Sequence, residues 1–159
     1  MKSVTVNLFD PRDIQIKSDE LAAYLDDLED KANKICERLA SIGAVTASLG
    51  FARVPYNGTK DVAVSVEPLT NGYAIHARGN AVLFLEFGAG AKHGYGHPEP
   101  EGYGPGTYNP ASDNWKNPKG WWFGDGEHTY GNPPAQAMFD AKQEIVRAIE
   151  QVANEVFNE

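Results

Sequence analysis

Apolar and polar residues alternate along the chain with recognisable periods. Val4, Val6 and Leu8 alternate with Thr5 and Asn7, the signature of a half-buried strand, which predicts a strand over residues 2–8 closed by Asp10-Pro11. From Ser18, a good N-cap followed by the anions Asp19 and Glu20, the spacing changes to threes and fours. Leu21, Leu25, Leu28, Ala32, Ile35, Leu39 and Ile42 then form one stripe on a helix over 19–42, with Gly43 as its C-cap. The stripe reads as cover for a sheet in preference to a coiled-coil seam, because it lasts only about three heptads. Ala44 to Phe51 is less regular, and Pro55-Tyr56-Asn57-Gly58 is turn chemistry. The period of two returns in Val62, Val64 and Val66, then in Tyr73, Ile75 and Ala77, with Asn71-Gly72 as a hairpin turn between them. Ala81 to Phe87 is a short apolar run that fits either a buried strand or two turns of helix capped by Asn80, so 61–87 forms the sheet core. The chain ends in a helix over 134–157 with Asn132 as cap, Pro133 or Pro134 in its first turn, and a stripe of Met138, Ala141, Ile145, Ile149, Val152 and Val156.

Between these elements no period survives. Residues 88–133 hold 11 of the 16 glycines, 6 of the 10 prolines and all three tryptophans, and read as a long loop. A solvated linker would not carry so many aromatic side chains, among them Trp115, Trp121, Trp122, Phe123 and Tyr130. Such side chains seek a surface to bury against, either another protein subunit or a sugar ring. The expected architecture is a single α+β domain of 159 residues in which two helices pack on one face of a small, mainly antiparallel sheet.

Charge excludes some functions. With 22 acidic against 14 basic residues the chain carries −8, which phosphate backbones repel, and no basic patch stands out for sequence-specific nucleic-acid binding. By runs alone no apolar segment approaches the roughly 20 residues of a bilayer span, so no membrane partner is expected. The polar–apolar N-terminus does not read as a signal peptide, and synthesis in a cytoplasm follows. Asn57-Gly58-Thr59 is then a turn, not a glycan acceptor.

Catalytic motifs are scarce. His93, His97, His128, Glu99, Glu101 and Glu127 are the residue types that bind zinc, but the glycines around His93 and His97 and Pro98 after them deny the pair a rigid helical frame, so no metal and no other cofactor is expected. Cys36 is mid-helix without a metal or redox partner motif, His76 lies on the polar side of the hairpin, and Gly102 to Gly106 lacks the lysine of a phosphate-binding loop. No catalytic residue is assigned. Glu86, the one charge in an apolar run, needs a partner, and Arg78, a backbone amide or a neighbouring subunit could supply it.

At Leu83-Phe84-Leu85-Glu86-Phe87-Gly88-Ala89-Gly90 the chain resembles the head–tail joining, or tail-completion (neck), family of tailed bacteriophages and prophages, whose members carry an apolar segment ending in Glu-Phe-Gly-Thr-Gly. Asn57 to Val62 with Asn71-Gly72-Tyr73 resembles the family's hairpin, and Gly131-Asn132-Pro133-Pro134-Ala135-Gln136-Ala137-Met138-Phe139 its proline-rich approach to the last helix. The matching pieces span residues 18 to 157, with Ala89 where Thr is common and Gln136 where Arg is common. The resemblance implies a non-enzymatic virion protein that forms a ring of six copies between the head connector and the tail tube. Its assembly contacts are expected at Glu86, Phe87, Trp115, Trp121, Trp122, Phe123, Tyr130 and Gln136. Acidic helix faces lining such a ring would let DNA slide past. A carbohydrate-binding virion or surface module using the loop tryptophans is the alternative.

Overall fold

The computed structural model describes Thr5 and residues 9–93, 96–99, 114–123 and 126–159. The strand expected over 2–8 lies outside these residues apart from Thr5, as do Glu101 and the glycine-rich 102–106. The fold is α+β: a long helix, a C-terminal helix and a small antiparallel sheet pack together. In chain order the elements are α1 (Pro11–Arg53), β1 (Ala63–Leu69), β2 (Gly72–Arg78), α2 (Val82–Glu86), β3 (Trp121–Phe123), β4 (Glu127–Thr129) and α3 (Ala137–Asn158).

Helix α1 runs well past both expected ends. Asp10 is the cap, its carboxylate accepting the Arg12 amide at 2.9 Å, and Pro11 opens the first turn, where a missing N–H costs nothing. Asp10-Pro11 is therefore a helix start, not the end of a strand, and Ser18 is an ordinary helical residue. Gly43 does not cap either. It lies mid-helix, where a Cβ would come within 2.6 Å of the side-chain tips of both Ile75 on β2 and Ile145 on α3. The helix continues through the stretch expected to be irregular because Gly43, Ala47 and Gly50 are small contact residues. The antiparallel α3 comes so close that a Cβ on Gly50 would sit 2.7 Å from that of Ala137. The buried line of α1 is Ala40, Gly43, Ala47 and Phe51, one step round from the expected Leu39 and Ile42, which flank it half-buried. At the far end of the pair, Lys34 and Arg38 each hold the Glu159 carboxylate at 2.6 Å. Among the described residues α1 is also long and apolar enough over 18 residues to cross a membrane by length and composition. Runs alone miss this because serine and threonine interrupt it, and the same stretch carries the core contacts with α3.

Strands β1 and β2 pair antiparallel in the register Val64↔Ala77, Val66↔Ile75, Pro68↔Tyr73, so the two expected apolar rows do face each other. The connecting residues are Thr70 and Asn71, one position before the expected pair. Val64 and Ala77 pack on the core of Ala47, Phe51, Val54, Ala81, Leu85, Ala137 and Ala141. Full burial of a leucine such as Leu85, at 0% exposure, contributes about 1.5–3 kcal/mol. The run after β2 takes the helical alternative as α2, but Asn80 is not its cap. Asp61 accepts the amides of Asn80 and Ala81 at 2.7 and 2.8 Å, and these bonds hold its carboxyl below the usual range.

Candidate functional site

The short helix α2 and the start of α3 satisfy each other's unpaired backbone groups. A helix leaves its last carbonyls and first amides without internal partners. Here the approach to α3 runs back along α2. Asn132 Nδ2 donates to Phe84 O at 2.7 Å, Ala135 N to Leu85 O at 2.6 Å and Gln136 N to Glu86 O at 3.3 Å. In return the Glu86 carboxylate accepts the first free amides of α3, from Met138 at 3.0 Å and Phe139 at 3.2 Å, where the helix dipole also favours an anion. Glu86 is only 5% exposed. Of the partners open to it in the sequence, the backbone amide is one that it uses. Arg78 turns outward to Glu67 at 3.7 Å. Helix α3 thus begins at Ala137, later than Asn132 and Pro133–Pro134 suggest, because its cap is delivered from α2 and not from its own preceding residues.

The remaining Glu86 contact is His97, buried, with Nε2 at 3.1 Å from Oε1. The Glu99 amide donates to His97 Nδ1 at 3.1 Å, so Nδ1 is the acceptor and Nε2 carries the proton that it gives to Glu86. The ring lies 4.6 Å from that of Phe87 and 5.9 Å from that of Phe139. Gln136, in a left-handed conformation at φ 54°, donates to Gly96 O at 2.8 Å, and Lys142 pairs with Glu99 at 2.8 Å. Residues 96–99 are thereby clamped to α3. Both nitrogens of His97 are thus engaged within the chain.

Residues 88–133 contain regular structure that no sequence period announced. A bridge between Ala89 and Asn132, with N–O distances of 2.9 and 3.0 Å, closes the base of a two-stranded sheet. Ala89 enters this bridge through its backbone alone and is buried. Gly90 and Gly131 flank the bridge at φ 87° and 89°, and a Cβ on either would strike a facing carbonyl, Tyr130 O and Ala89 O respectively. Above it, β3 and β4 pair as Trp121↔Thr129, Trp122↔His128 and Phe123↔Glu127. Alternation separates two faces. Trp121 and the buried Thr129 turn inward, where with Tyr56, Phe84 and Asn132 they line a cavity of about 200 Å³. Burial, and then the nearby Asp61 carboxylate, push the Tyr56 hydroxyl pKa upward. Trp122, 69% exposed, and His128 turn outward with Tyr130. Ring centroids are 4.9 Å apart in each step of this row, and Lys92 Nζ sits 5.1 Å over Tyr130.

The expected contact residues therefore divide. Glu86, Phe87 and Gln136 meet at the start of α3 in internal bonds, Trp121 lines the cavity, and Trp122 and Tyr130 lie on the exposed face. The side chains of Trp115 and Phe123 lie outside the described residues. Among the described residues no group of three or more His, Cys, Asp or Glu side chains could hold a metal.

A second feature was not singled out in the sequence. Between Pro11 and Asp30 no side chain of α1 is buried, and only Asp13, Lys17 and Leu28 are half-covered. Since α3 ends level with Lys34, these 20 residues project as an arm about 30 Å long at ~1.5 Å per residue. Ile14, Leu21 and Leu25 are 43%, 52% and 56% exposed along it. No protein-family model matches the chain, nor does any curated protein or solved structure.

Proposed function

We propose that this chain is a structural, non-catalytic subunit of the head–tail junction of a tailed bacteriophage, a tail-completion or connector protein that assembles with copies of itself, six by the resemblance, between the head connector and the tail tube. The arm of α1 is the observation that carries the self-assembly part of this reading. An isolated helix of 20 residues is marginal in water, and one with a leucine row gains its stability from a surface to lie on. The phage assignment rests on the Glu-Phe-Gly-Ala-Gly segment and the proline-rich approach to α3, which have a shared physical role as the staple joining α2, the bridge and α3.

The test is to mix the purified chain with head-connector and tail-tube proteins and examine the mixtures by electron microscopy and light scattering. Ring-shaped particles, alone or seated on either partner, are the expected result. Indifference to both partners together with glycan binding lost on Trp122→Ala would overturn it in favour of the sugar-binding alternative, whose platform would be the exposed Trp122.

A further inference from the structure

We infer that residues 2–8 of one copy add a third strand to the open edge of β1 in the next copy; the inference rests on the self-assembly reading above and specifies its contact. The sheet has an edge to offer. With two strands it leaves an outer row of N–H and C=O groups on each, and among the described residues no backbone hydrogen bond reaches β1 or β2 from outside the hairpin. Of the two, β1 lies outermost: Gly72 to Ala77 of β2 are half-buried, whereas in β1 only Val64 is. Pro68, which has no N–H, fits such a margin and confines a new ladder to Ala63–Glu67. Val62 and Val64 pack on the core, but Val66, next in their row, remains 37% exposed.

The chain carries a segment of matching pattern at its other end. On that edge Val4, Val6 and Leu8 would continue the row of Val62, Val64 and Val66 on the helix-facing side, with Thr5 and Asn7 beside Ser65 and Glu67 on the other. Its own sheet is beyond its reach. Helix α1 starts at Pro11, and Ile75, which pairs with Val66, meets that helix at Gly43, about 50 Å further along at ~1.5 Å per residue. Residues 2–9, fully extended, span at most about 29 Å, so folded back along the arm they end about 20 Å short of Val66. A neighbouring copy meets no such limit, because the arm carries the segment ~30 Å clear of its own body. Strand addition of this kind takes its affinity from main-chain hydrogen bonds and its specificity from the alternate side chains. Donor segment and receiving edge are different surfaces, so the contact is head-to-tail and closes into a ring when the rotation allows.

Two full-length variants separate donor from acceptor. Val6→Pro removes an N–H from the donor segment, outside α1; Val66→Lys puts a charge on the receiving edge at an exposed position. Circular dichroism checks that each keeps its helix content, and light scattering reads mass. Wild type is expected to assemble, each variant alone to associate at least tenfold more weakly, and the equimolar mixture to form one-to-one dimers that grow no further, since one intact strand meets one intact edge. Hydrogen exchange of wild type reads the edge itself, whether or not Val66→Lys folds: exchange over Ala63–Glu67 should slow at least tenfold between dilute single chains and assembled material. Assembly by Val6→Pro equal to wild type, a mixture of folded variants no heavier than each alone, or exchange over Ala63–Glu67 unchanged by assembly overturns the strand pairing while self-assembly stands. A wild-type chain that is monomeric at every concentration overturns both.

Discussion

Replacing Glu86 by alanine tests whether the buried carboxylate holds the domain together. The change removes the acceptor for the amides of Met138 and Phe139 and for Nε2 of His97. Each buried donor left without a partner costs about 1–3 kcal/mol, and the helix loses an anion at its positive end, worth about 0.3–2 kcal/mol. Water entering the vacated space recovers part of this, so the net loss is about 3–5 kcal/mol, a large share of the roughly 5–15 kcal/mol that a domain has. With a urea slope of about 2 kcal/mol per molar, the midpoint falls by about 2 M at fixed protein concentration. Glu86→Gln retains an acceptor oxygen but turns an amide against the remaining donors, and costs less, about 1–3 kcal/mol. Hydrogen exchange should accelerate first at Met138 and Phe139. A loss below about 1 kcal/mol for Glu86→Ala, on the scale of a surface substitution, would refute the staple.

Local geometry gives two further outcomes. Gly50→Ala places a Cβ 2.7 Å from Ala137 Cβ and 2.9 Å from its Cα, so the helices must part; thermal unfolding should show a net loss of about 1–2 kcal/mol even though alanine is the better helix former. The folded-state pKa of Asp61 is depressed by the amides of Asn80 and Ala81, so its contribution is complete above the unfolded value of about 3.9 and disappears as pH falls through the lower folded value. The stability difference between wild type and Asp61→Asn should be flat above about pH 5 and shrink below about pH 4; a difference that grows on acidification would contradict the assignment.

The two main helices and the first hairpin were legible because their apolar rows repeat with the periods of the elements that bury them. The ends of the helices were not, for identifiable reasons. Asp10-Pro11 is equally good as a strand stop and as a helix start, and only the helical continuation through Ile14 and Ile16 decides between them. The stretch from Gly43 to Gly50 hides its buried face because close helix packing selects glycine and alanine, which carry little hydropathy signal. Helix α3 borrows its cap from Glu86, 52 residues from Met138, so no local motif marks its start. Glu86 itself was visible as a lone charge in an apolar run, and its partners were not. Strands β3 and β4 have three residues each, too short for a period to show among the glycines. The exposure of Leu21 and Leu25 belongs to tertiary structure: their row continues unbroken into the part of α1 that α3 covers, and only the point where α3 ends divides core from arm.

The most direct test of the account is the mass of the purified chain by light scattering across a wide range of concentration. Self-assembly through the arm predicts species at multiples of 17.3 kDa that grow with concentration toward a closed ring; a constant single-chain mass at every concentration would contradict it.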